Sequence, residues 1–344
     1  MLDYELRARP DTCHWGYFDN QLDPVLRVES GSVVRVECLS HRAGDAPDLM
    51  MNDSALAVYE ALEYEERGPG GHIVTGPIAL KGAMPGDTLE CRLLGVEYPL
   101  AYGSNLAAKW GWLYNQGETP LKTSEYVTIY KIDGEAAMPV FQYPWPSERN
   151  SRKGDLIFPD DVTRLPCTPY RIPLRPHLGI CGVAPKIPGK VSTIPPGVFG
   201  GNVDNRHFMP GTAMYYPVQV PEALIFMGDT HLAEGDGEVS GTAIEGHLTV
   251  RVQLTLHRHW AVPGPVLETA EAWMVHGFGE TLDKAMTDTL ERSLRFLKSR
   301  GLDEAQGYAL LSAGGDFQIT QVVNSIKGIH AVIPKKLFNH DSKE

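Results

Sequence analysis

Cysteine is scarce in this chain and poorly placed for cross-linking. Cys13, Cys38, Cys91, Cys167 and Cys181 are odd in number, widely scattered and never in a C-x-x-C pair. Neither a disulfide framework nor a thiolate zinc site is indicated, and a reducing, cytoplasmic setting is expected. Basic residues are in deficit: 31 Lys and Arg against 43 Asp and Glu leave a net charge of −12. Phosphates need Lys and Arg to displace their counterions, which argues against nucleic-acid or anionic-membrane partners. No uninterrupted apolar run approaches the roughly 20 residues of a membrane span. The opening "MLDYELRARPDTCHWGYF" has no apolar h-region, so a secretory signal is not expected. A P-loop, a G-x-G-x-x-G after a strand and a G-x-S-x-G elbow are also missing, which leaves nucleotide cofactors and serine-hydrolase chemistry without support.

What is abundant is glycine and proline, 35 and 26 of 344 residues, without low-complexity runs. Frequent breakers between short apolar runs indicate many turns and short strands. Period-2 alternation marks strands in "GSVVRVECLS", "GDTLECRLLGVEY" and, most cleanly, "HLTVRVQLTL". "YYPVQVPEALIFMGD" combines strand formers with two prolines, as an interrupted or edge strand would. "AMPGDTLECRLL" and "FMPGTAMYYPVQV" share a Met-Pro-Gly turn before a strand, an echo too short to establish a repeat. Leu282, Met286, Leu290, Leu294 and Leu297 form one helical face, with Thr281 as N-cap and Gly301 as C-terminal stop. A second helix is expected from about Asp303 to Ser312. The proline- and charge-rich segment 139–160 reads as a connection between a β-rich half, 1–160, and a β-rich catalytic half with C-terminal helices, 161–344.

Ligand-type side chains collect in three loop clusters. "GGNVDNRH" offers Asn202, Asp204 and His207. "GDTHLAEGDGEVSGTAIEGH" offers Asp229, His231, Glu234, Asp236, Glu238 and Glu245. "SHRAGDAPDLMMND" and "GGHIVTGPI" offer His41, Asp45, Asp48 and His72. Asp229 and His231, two residues apart at a strand end, place a carboxylate and an imidazole on one face. Zinc commonly takes three N/O ligands and keeps an open position, so Asp204 and Glu238 are the candidates to complete the set. Asp/Gly-rich loops also bind calcium or form plain Asx turns; the imidazole tilts the reading toward zinc. Glu245, among small residues at the start of the alternating strand, is placed for partial desolvation and proton transfer. Cys181 is the rival nucleophile, with His177 and Lys186 near in sequence as base and cation, but it lies in an apolar run where cysteine is usually a small buried residue. His257, His259 and His276 read as strand-end or core residues.

Four stretches carry a family resemblance: "HIVTGPIALKGAMPGDTLECRLLGVE", "LGICGVAPK…STIPPGVFGGNVDNRH", "MGDTHLAEGDGEVSGTAIE" and "DEAQGYALLSAGGDFQITQVVN…GIHAVIPK". From about Gly31 to Lys335 the chain resembles the acetamidase/formamidase family. The resemblance implies a mainly β fold, with a sandwich- or barrel-like core and an α/β C-terminal portion, in a homo-oligomer. It implies hydrolysis of a short aliphatic, neutral amide to a carboxylate and ammonia with a divalent metal, zinc by expectation, and is compatible with an additional calcium ion. Asp204, Asp229, His231 and Glu238 are then the expected metal ligands. Glu245 is the expected proton carrier, Asn202 an oxyanion donor and His72 a catalytic pocket residue. Many relatives carry Gln where Glu234 stands and Cys where Ser240 stands; the serine removes any thiol mechanism there. Two alternatives stay open: hydrolysis of a larger amide, lactam or urea-like compound, with Glu234 and "KWGWLY" serving the pocket, and a non-catalytic metal- or ligand-binding β-protein.

Overall fold

A computed structural model describes residues 3–115, 125–146, 148–149 and 154–338. Two large, mainly antiparallel sheets form the molecule. The nine-stranded sheet runs, in spatial order, Asp3–Leu6, Ser32–Cys38, Leu248–His257, Thr88–Glu97, Ala213–Pro217, Val266–Glu268, Ala272–Gly279, Lys327–Pro334 and Asp316–Gln321. The main path of the twelve-stranded sheet runs Leu165–Pro166, Ala136–Pro144, Tyr126–Asp133, Tyr102–Ala107, Ile244–Glu245, Ile225–Ala233, His177–Val183 and Gly200–Asn202, with Ile73–Leu80 also paired to Ile225–Ala233. Strands from before and after residue 160 mix in both sheets, so the segments 1–160 and 161–344 share their sheets.

The alternation read in the sequence has a direct cause. Val34 and Val36, Leu89, Cys91 and Leu93, and Val250, Val252 and Leu254 turn from one sheet into a single buried cluster. There they meet Ile78, Leu80, Cys181, Val183, Ile225 and Met227 from the other. Burying two apolar faces against each other makes a sandwich. Cys181 is a buried member of this core, as its apolar setting indicated. On the nine-stranded sheet, Ala213, Tyr215, Val275 and Ile333 pack with Phe296, Leu297 and Leu311 of two helices, Leu282–Ser299 and Glu304–Gly314. Thr281 caps the first by accepting from Lys284 N, and Asp303 caps the second. No helix among the described residues is long and apolar enough to cross a membrane.

One reading needs correction, and another holds in one of its two forms. Segment 139–160 is not all connection: Ala136–Pro144 is a strand paired with Tyr126–Asp133, and Pro139 is tolerated because the register shifts between it and Phe141. The proline-bearing "YYPVQVPEALIF" is interrupted as expected, at Glu222, Ala223 and Leu224, all with positive φ. Its first half, Ala213–Pro217, is nevertheless interior, between Thr88–Glu97 and Val266–Glu268. The two Met-Pro-Gly strands are therefore neighbours, Met214 opposite Cys91.

Candidate active site

Glycine and strained carboxylates shape the floor of the site. Asp204, Asp229 and Glu238 all have left-handed backbone, with φ of 51°, 46° and 47°. Such conformations cost of order 1–3 kcal/mol each for a non-glycine residue and cluster at functional sites. Asp229 lies inside the Ile225–Ala233 strand, not at its end. Pairing with His177–Val183 places Thr230 opposite Leu178 and Gly228 opposite Ile180, so Asp229 bends out across from Gly179. Gly179 also leaves the room that the His231 ring fills: a Cβ there would stand 2.5 Å from Cε1. Asn202 ends the short Gly200–Asn202 strand, and Asp204 N donates to Gly179 O across 3.2 Å. Glu238 is set by Gly237, whose N–H and C=O bond to Thr320 and Val322.

These elements bring most of the expected residues into one place. A cavity of ≈ 340 Å³ is lined by His41, His72, Asn202, Asp229, Glu238 and Glu245, with Trp110, Ile194, Val323 and Asn324 among the others. Asp229 is its hub: His41 Nδ1 lies 3.4 Å from Oδ1, and His72 Nε2 and His231 Nε2 each lie 3.7 Å from Oδ2. His231 Nε2 also lies 3.5 Å from Glu245 Oε1, which accepts from Ala243 N at 3.1 Å. Ligand-type atoms of Asp204, Asp229 and His231 fall within 4.8 Å of one another, as do those of His231, Glu238 and Glu245, and of His41, His72 and Asp229.

Charge is concentrated without cationic side chains: among the described residues no lysine or arginine lines this cavity. Burial, then repulsion from neighbouring carboxylates, holds Asp204 and Glu238 well above the usual carboxyl range; Glu245 is raised by burial and by Asp229. Asp229 goes the other way, because His72, His231 and His41 outweigh its burial. Burial opposes a charge on His231 as well, but Glu245, Asp229 and Glu234 raise it well above the ordinary histidine value.

Other residues fall outside the expected pattern. Glu234 does not enter the cavity; its Oε2 is 3.1 Å from His231 Nδ1 and 2.8 Å from His177 Nε2, all three side chains being buried. Asn202 Nδ2 donates to Ile194 O at 3.1 Å, while its buried Oδ1 has no partner. The atom it leaves free is an acceptor, so this orientation does not supply the donor that an oxyanion role needs. Asp236 pairs with Arg206, Asp48 with Arg164, and buried Asp45 with Arg42 and Ser104. His207 meets His330 edge-on and is not among the cavity-lining residues, and buried His276 accepts from Asn205 at 2.8 Å. Sequence reasoning named His177 only as a possible base for Cys181, and did not single out Asn324. Asn324 Nδ2 donates to Asp204 Oδ2; the only sign of it was the resemblance block containing "QITQVVN".

Residues 189–340 match the profile of the Acetamidase/Formamidase family. The chain is similar to a formamidase of Methylophilus methylotrophus, 29% identical over 277 residues, covering 72% of this chain and 66% of that protein. It is 29% identical over 246 residues to an acetamidase of Mycolicibacterium smegmatis, covering 62% of this chain and 58% of the relative. The chain thus spans less than two thirds of the length of these curated relatives. An acetamidase from Bacillus halodurans shares the fold with a TM-score of 0.75 and 25% identity, over 97% of this chain and 98% of its own.

Proposed function

We propose that this chain, similar to acetamidases and formamidases, is a member of that family and that its site hydrolyses a short aliphatic primary amide to a carboxylate and ammonia with the help of a divalent cation. One observation supports this reading above others. Asp204 Oδ1, Asp229 Oδ1, His231 Nε2, Glu238 Oε2 and Glu245 Oε2 are buried and without hydrogen-bond partners, and ligand-type atoms of Asp204, Asp229 and His231, and separately of His231, Glu238 and Glu245, lie within 4.8 Å of one another. Native interiors seldom leave buried polar atoms orphaned, and several carboxylates together need a counter-charge. A cation fits both demands. One imidazole among carboxylates suits zinc or a similar first-row ion better than the all-oxygen shell of calcium.

Asp204, Asp229, His231 and Glu238 would hold the ion. When bound, it supplies Lewis acidity that polarises the amide carbonyl and acidifies water in its shell. The chain's own groups do the rest. Glu234 accepts from the His231 Nδ1–H, which fixes the tautomer and leaves Nε2 as the donor atom toward the cavity. His41 and His72 brace Asp229 from the N-terminal half, His72 being tied at Nδ1 to Thr193 Oγ1 at 3.0 Å. Glu245 is fixed at Oε1 by Ala243 N and free at Oε2. Oε2 takes the proton of the attacking water as the C–O bond forms and passes it to nitrogen as the C–N bond breaks. Asn202 Oδ1 accepts from an amide N–H and orients the leaving group. The protein acts in the cytoplasm, in keeping with five free cysteines, and assembles as a homo-oligomer.

The test pairs metal analysis with ammonia release. Purified protein is expected to carry a divalent ion by mass spectrometry, to lose formamide and acetamide hydrolysis on chelation and to regain it with zinc. Glu245→Gln keeps the ion and lowers kcat by about 10²-fold or more. Retained activity in that variant would remove Glu245 from the mechanism. Metal-replete protein that releases no ammonia from any primary amide would favour a binding role instead.

A further inference from the structure

The cavity is much larger than the amides that name its relatives. At about 30 Å³ per water, its ≈ 340 Å³ has room for about eleven waters, whereas formamide has three heavy atoms and acetamide four. The lining is mixed, with more apolar than polar surface. Asn202, Asp229, Glu238 and Glu245 form the buried floor, while Trp110, Ile194 and Val323 supply apolar wall. Trp110 is fastened there. Its Nε1 donates to Gly241 O at 3.0 Å, and the flanking backbone bonds from Ala108 N to Ser240 O and from Trp112 N to Val239 O, both 2.8 Å. Gly241, at φ 114°, lets the indole approach so closely that a Cβ would stand 2.7 Å from Nε1. Ile194 is tied to the floor through the Asn202 bond to its carbonyl. The loop carrying Trp110 is thus bound to the same 238–245 segment that carries Glu238 and Glu245.

Resting on the hydrolytic reading above, we infer that the preferred substrate is a primary amide whose acyl group is an apolar chain or ring larger than acetyl, lying along Trp110, Ile194 and Val323. The amide head meets the polar floor, and the acyl group replaces water against the indole and the two aliphatic side chains. Formamide and acetamide leave that wall wet and forgo its binding energy. Apolar contact of this kind is worth roughly tenfold or more per well-fitted group. Trp110 is the specificity-determining residue in this arrangement.

The experiment is an acyl series on metal-replete protein: formamide, acetamide, butyramide, hexanamide and benzamide, scored by ammonia release as kcat/KM. The expected result is a rise of about tenfold or more from acetamide to the best longer amide. In Trp110→Ala the ratio of that amide to acetamide falls by about fivefold or more, and Trp110→Phe recovers most of it. A steady fall from formamide upward overturns the apolar acyl site while leaving amide hydrolysis standing. No ammonia from any member overturns both readings. The wild-type series decides the matter even if the alanine variant fails to fold.

Discussion

A methyl group on Gly179 would stand 2.5 Å from His231 Cε1, and 2.7 Å from both His231 Nε2 and Asp229 O. His231 is held from its other side by Glu234, so it cannot retreat. Gly179→Ala is therefore expected to push the imidazole off its position, cutting bound metal and lowering ammonia release about 10²-fold. Overpacking of this kind costs about 1–3 kcal/mol, so the fold should survive in circular dichroism; full metal content and activity would show that the glycine is dispensable. At this scale the sequence was informative where chemistry and spacing coincide. Asp229 and His231 could be paired because they stand two positions apart on one strand, and Asp204 and Glu238 because a zinc site needs further ligands and both lie in glycine-rich loops. The contact of His177 with Glu234, and Asn324 altogether, were not legible. Their roles come from lying against Glu234 and Asp204, residues 57 and 120 positions away.

Among the elements, helix Leu282–Ser299 shows how local signals and packing agree. Thr281 accepts from Lys284 N, and Gly277 and Gly279 of the strand beneath let the helix backbone come close, a Cβ on Gly277 meeting Thr289 N at 2.2 Å. Thr281→Ala should lower stability by about 1 kcal/mol, seen as a shift in denaturant midpoint. The metal content should stay unchanged, because this helix packs in the cluster with Tyr215 and Val275 and lines no part of the cavity. A larger loss, or loss of metal, would mean that the helix end supports more than itself. The strand Ala136–Pro144 is the opposite case. Its prolines read as loop, and only pairing with Tyr126–Asp133 around an irregular register makes it a strand.

Across the whole molecule, the sheets and the C-terminal helices bury several histidines as neutral groups. His276 is one: burial first, then nearby Arg292 and His207, lower its pKa from 6.5 to about 4, with Pro265 O partly opposing. His247 is likewise lowered by burial to about 4. The unfolded chain takes up protons near pH 6.5 that the native chain refuses until about pH 4. The stability contributed by the neutral form is thus complete above pH 6.5 and is lost as the pH falls toward 4. At about 1.4 kcal/mol per pH unit, each group removes about 2 kcal/mol between pH 7.5 and pH 5. His276→Gln isolates one of them. The stability advantage of the wild type over this variant should shrink by about 2 kcal/mol across that interval in urea titrations, and a constant difference would show that His276 is not buried neutral.

The sequence by itself determined the classes of structure and chemistry. Alternation fixed the strands, because side chains on a pleated strand must sort into a buried and an exposed face. The Thr281 cap and the leucine face fixed the helix, and the glycine-rich loops, with their acids and imidazoles, marked where a cation could bind. Only the tertiary structure decided which of those groups meet. Asp229 gathers His41 and His72 from one end of the chain and His231 from its own strand, and Asn324 closes on Asp204 from the other end. The physical reason is that these contacts are made by sheet pairing and sandwich packing across scores of residues, where strand register, a left-handed bend and the space above one glycine set the separations.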